Sequence, residues 1–107
     1  MSTTPQPAEH AAVRHILGAP QIAARTAPYV RADAFDWEGL RQVAATMSGG
    51  ERLLVSIAYE LWNAEKVTGL WEIPRRLDER NFLRVVEALH LCRGPAFAEL
   101  IEARRVA

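Results

Sequence analysis

The sequence predicts an all-α fold: a small bundle of three main helices, with a short C-terminal helix and an N-terminal arm. Two observations predict it. Apolar residues recur at i, i+3, i+4 and i+7 through the second half of the chain, the spacing of one buried helical face. Asp36, Ser48 and Asp78, residue types that cap helix starts, stand just before the three strongest of these stretches. The 107 residues suit one domain with a modest core.

Residues 1–35 read as the arm. "MSTTPQP" is small, polar and proline-bearing, as frayed tails are. Residues 8–17 form a short helix with Val13, Ile16 and Leu17 on one side and Gly18 as its stop. Pro20 and Pro28 bracket at most one further helical turn, and residues 28–35 connect it to the bundle. The arm either docks on the bundle or stays mobile.

The helical domain spans 36–107. Asp36 starts a helix whose inner face is Leu40, Val43, Ala44 and Met47. Ser48-Gly49-Gly50-Glu51 fits a capping box, in which the serine oxygen accepts from the Glu51 amide and the Glu51 carboxylate accepts from the Ser48 amide. The helix after it, about 48–64, carries a broad apolar stripe through Leu54, Ile57, Ala58, Leu61 and Trp62 and reads as the central one. Its two glycines fit a tight turn after Met47, with close approach of another helix as the alternative. "KVTGLWEIP" breaks the helical period and reads as a loop. Asp78 caps a third helix with Phe82, Val85, Val86 and Leu89 inward, ended by Gly94 and Pro95. Pro95 opens the last helix, with Phe97, Leu100 and Ile101 inward.

Composition excludes several classes. Thirteen basic and 13 acidic residues give no net charge, which argues against a generic polyanion binder. Cys92 is the single cysteine, so no intrachain disulfide forms and a reducing, cytoplasmic location is expected. Neither a secretory leader nor a membrane span is visible. His10 and His15 are five residues apart, His90 and Cys92 two, so each pair diverges on a helix and no zinc spacing results. The expectation is no catalytic residue, no metal and no cofactor: a non-enzyme.

"SGGERLLVSIAYEL" resembles the signature loop and following helix of ABC-type ATPases. "LWEIPRRLDERNFLRVVEAL" resembles their Walker B strand running into the D-loop, so the likeness covers about residues 47–90. It implies a nucleotide contact at Ser48, Gly49 and Gly50, with Glu72 in the place of the catalytic glutamate. Two departures remove intrinsic ATPase activity from what it implies. Trp71 occupies the Mg²⁺-binding aspartate position, and no G-x-x-x-x-G-K-[ST] occurs to hold phosphates. There remains an anion or nucleotide contact at the Ser48–Glu51 helix start, completed by a partner ATPase. The "SGGERLL…LW" stretch also resembles small uncharacterised proteins of actinobacteria and their phages, and the arginine- and alanine-rich composition fits such an origin.

Two stretches admit a nucleic-acid reading. Residues 41–60 can be laid on a helix-turn-helix, but its second helix, "ERLLVSIAYELW", is apolar at eight of twelve positions and would expose its own core in a groove. The better feature is "RRLDERNFLR", where Arg75, Arg76, Arg80 and Arg84 outnumber the acids and could meet phosphate. Three tryptophans in 107 residues point elsewhere, to core anchors or interface residues. Trp62 is expected in the core, and Trp37 or Trp71 at the surface. The leading expectation is a non-catalytic interaction module that binds a protein partner or a second copy of itself through Trp37, Trp71, Arg75, Arg76, Arg80 and Arg84, with nucleic-acid binding by the arginines as the alternative.

Overall fold

The computed structural model describes residues 7–94. Six helices follow in order: α1 (Pro7–Leu17), α2 (Ala23–Thr26) running into a 3-10 turn (Ala27–Tyr29), α3 (Trp37–Ala44), α4 (Gly49–Asn63), α5 (Glu72–Arg76) and α6 (Glu79–Cys92). The fold is all-α. Among the described residues no strand forms beyond one isolated antiparallel bridge between Val30 and Phe35. No described helix is long and apolar enough to cross a membrane. The helix expected from Pro95 lies outside the described residues.

Local chemistry sets the helix starts. Asp36 accepts from the Gly39 amide at 3.1 Å, and Asp78 from the Asn81 amide at 2.8 Å. At Ser48 the full capping box forms. The Ser48 amide donates to Glu51 Oε1 at 3.1 Å, and the Glu51 amide donates to Ser48 Oγ at 3.4 Å. Ala64 ends α4 in the left-handed region, at φ 56°, an unusual conformation for a residue with a Cβ.

The arm docks. Ala12, Val13, Ile16 and Leu17 of α1 are at most 1% exposed, and the helix packs chiefly on α6 and α4. Ala19 and Ile22 beyond it are equally enclosed, and Thr26 Oγ1 ties this segment down by donating to the Leu17 carbonyl at 2.8 Å. Leu40, Leu54, Ala58, Val85 and Ala88 complete the centre of the core. Burying side chains of this size contributes about 1.5–3 kcal/mol each, so α1 is a major source of the fold's stability.

Two packing details differ from expectation. The inner side of α6 is turned: Val85 and Ala88 are buried with Asn81 and Glu87, while Phe82 and Leu89 are 39% and 47% exposed. The reason lies on α1. His15 Nε2 meets Glu87 Oε1 at 2.7 Å, and Arg84 Nη1 donates to the His15 carbonyl at 2.9 Å, so polar residues of α6 face inward where α1 satisfies them. The glycines of α4 are the second case: α5 approaches Gly49 through the end of the flexible Arg76 side chain and Gly50 only at ordinary contact distance, beside the tight turn after Met47. A Cβ on Gly49 would lie 2.9 Å from Arg76 Nη2, and one on Gly50 would lie 3.4 Å from the Arg76 carbonyl oxygen, because the end of α5 crosses the start of α4. A tighter approach occurs at Gly39, where a Cβ would stand 2.3 Å from the Tyr29 ring.

Candidate functional site

The loop from Ala64 to Trp71 connects α4 to α5 and is held by carboxylates at both ends. Glu60 Oε1 accepts from the amides of Val67 and Thr68 at 2.9 and 2.8 Å. Glu72 Oε2 accepts from the Gly69 amide at 3.0 Å, while its other oxygen takes Arg76 Nη1 at 3.0 Å. These contacts, the Gly69 amide first, hold the Glu72 carboxyl below its ordinary pKa. The loop therefore presents a fixed apolar crest: Val67, Leu70 and Trp71 are 53%, 82% and 61% exposed. The Arg75 guanidinium lies 5.7 Å over the Trp71 ring, a cation–π arrangement.

The other expected residues disperse. Trp37 stands apart from Trp71, half-buried in a run of aromatic contacts. It meets Phe35 at 5.4 Å and Tyr59 at 5.4 Å between ring centroids, and Phe35 in turn contacts Trp62 at 4.8 Å and stacks on His10 at 4.9 Å. Trp62 is half-buried against the core. The Trp37 indole N–H is buried with no acceptor among the described residues. The four arginines do not form one face. Arg75 covers Trp71, Arg76 pairs with Glu72, Arg80 is exposed, and Arg84 is half-buried against α1. Arg80 and Arg84 share a groove of about 440 Å³ with Leu83 and Pro20. At Ser48, Gly49 and Gly50, both capping-box bonds are made within the chain, and Arg76 lies beside them.

Cys92 is half-buried, and burial, followed by the charge of Glu9, pushes its thiol above the ordinary value, so it stays protonated and a poor nucleophile at neutral pH. No group of three His, Cys, Asp or Glu among the described residues is placed to hold a metal.

A groove of about 500 Å³ between α3 and α4 is absent from the sequence-based expectations. Trp37 and Arg41 come to it from α3, Arg52, Val55 and Tyr59 from α4, and Glu65 from the loop. The Tyr59 hydroxyl donates to Glu65 Oε2 at 2.5 Å, and that bond, ahead of desolvation, raises the tyrosine pKa. The sequence does carry a signal for this face: Trp37 and Arg41 are spaced i, i+4, and Arg52, Val55 and Tyr59 are spaced i, i+3, i+7. Comparison of the chain with protein-family models, with curated proteins and with solved structures finds no match.

Proposed function

We propose that this chain is a non-catalytic protein-interaction module whose contact surface is the loop between α4 and α5. The observation that carries the reading is the exposure of Leu70 and Trp71, at 82% and 61%, on a loop whose middle is fastened by carboxylates from both flanking helices. Tryptophan and arginine dominate the energetics of protein interfaces, and here Arg75 is already stacked on Trp71. A large aromatic held in water beside Leu70 and Val67 gains about 25 cal/mol for each Å² covered by a partner. The partner this surface fits has an apolar pocket for Trp71 and acidic groups at its rim for Arg75 and Arg76.

The test is site-specific photo-crosslinking from position 70 in the native cell extract, with light scattering of the purified chain over a range of concentrations. The expected result is one defined adduct, with a partner or with a second copy, lost in Trp71→Ala and retained in Arg14→Ala, at an exposed position of α1. A strict monomer that yields no adduct, or an adduct indifferent to Trp71→Ala, overturns the reading.

A further inference from the structure

The groove between α3 and α4 has a chemistry that the Trp71 loop does not share. Its volume, about 500 Å³, falls in the range of small-molecule sites. Its walls are largely apolar: Trp37 and Ala44 from α3, Val55 and Tyr59 from α4, and Val67 from the loop. Three charged side chains line it, Arg41, Arg52 and Glu65. Two of them are engaged by the protein itself. Glu65 accepts the Tyr59 hydroxyl at 2.5 Å, and Arg52 donates to the Met47 carbonyl at 3.3 Å. Arg41 is exposed and forms no ion pair among the described residues.

The lining therefore combines a half-open apolar wall with two guanidinium groups against one carboxylate, one of whose oxygens accepts the Tyr59 hydroxyl. A cationic guest would meet Arg41 and Arg52. A neutral guest would bury apolar area but leave Arg41 unused. We propose that this groove is a binding site for a small apolar carboxylate, with an aromatic or acyl body seated between Trp37 and Val55 and the carboxylate on Arg41. Arginine matches a carboxylate with two parallel donors, which gives the site its orientation as well as its charge preference.

The test uses one apolar body in three charge states. Naphthoate, naphthamide and a naphthyl trimethylammonium salt are titrated separately into the full chain, and the amide resonances of Ala45, Ser56 and Val67 are followed. The expected order is acid tightest, amide weaker by about tenfold or more, and cation weakest, as a charge-assisted hydrogen bond predicts. Arg41→Gln, at an exposed position that leaves the fold intact, removes the preference for the acid and leaves the amide's affinity unchanged. Arg80→Gln, on α6, changes neither. The proposal is overturned if none of the three moves the groove amides, if acid and amide bind equally, if the cation binds best, or if Arg41→Gln keeps the wild-type preference.

Discussion

His15 Nε2 and Glu87 Oε1 lie 2.7 Å apart across the α1–α6 interface, with their side chains 11% and 9% exposed. A carboxylate this enclosed depends on its partner. Removing either residue deprives the other of this hydrogen bond in a largely desolvated interface, at a cost of about 1–3 kcal/mol. Glu87→Ala and His15→Ala should each destabilise the chain by roughly that amount in urea denaturation. The double variant should cost less than the sum of the two, because each single substitution already removes the bond they share. Strict additivity would mean that the pair contributes no coupling.

Gly39 should resist a substitution that intrinsic preference favours. Alanine in a helix is better than glycine by about 1 kcal/mol. Here, however, a Cβ would stand 2.3 Å from the Tyr29 ring, which must move away. Gly39→Ala should therefore destabilise by about 1–3 kcal/mol, the usual cost of overpacking. In a Tyr29→Ala background the same change should cost less, the remaining tight contact being Asp36 Oδ2 at 3.0 Å. Gly50→Ala is the internal contrast: its nearest contact, at 3.4 Å, is ordinary, and it should raise the melting temperature slightly.

The two ends of α4 should answer oppositely to small changes. Ser48→Ala removes half of the capping box and should cost about 1 kcal/mol. Ala64→Gly relieves a left-handed residue at φ 56° and should stabilise by about 1 kcal/mol, read by thermal unfolding.

Glu72 gives the α4–α5 loop a pH dependence of definite sign. Its folded pKa is lowered, first by the Gly69 amide and then by Arg76. The stabilisation is thus complete above the carboxyl's unfolded value and is lost as the pH falls through the lowered folded one. The stability difference between wild type and Glu72→Gln should be greatest near neutrality and shrink in acid, below the ordinary carboxylate range. A difference that is flat with pH would show that the carboxylate's charge is not what holds the loop.

The features legible in the sequence were local. Asp36, Ser48 and Asp78 cap their helices because an N-cap needs only a side chain and an amide three residues on. Of the inner face of α6, Val85 was legible, but Asn81 and Glu87 were not. Glu87 reads as a surface residue until His15, 72 positions away, meets it. Burial of α1 had the right apolar spacing at Val13, Ile16 and Leu17, but its depth depends on α4 and α6 closing around it. The α3–α4 groove was legible only in its two separate helix faces: Arg41 and Glu65 become neighbours of one cavity only after two helices and a loop have come together. Of the arginines expected to act as one surface, proximity in sequence placed Arg75 and Arg76 side by side but could not foresee that Arg84 turns toward the His15 carbonyl.

The amides of Val67, Thr68 and Gly69, three in succession, are all received by the carboxylates of Glu60 and Glu72. Immobilising a free segment costs about 1–2 kcal/mol of backbone entropy per residue. In this chain that ordering happens during folding, so the crest bearing Leu70 and Trp71 is preorganised. On the proposed reading a visitor docking there would meet a rigid prong rather than a strand to be frozen, and cutting either tether would weaken its attachment without altering a single contacting atom.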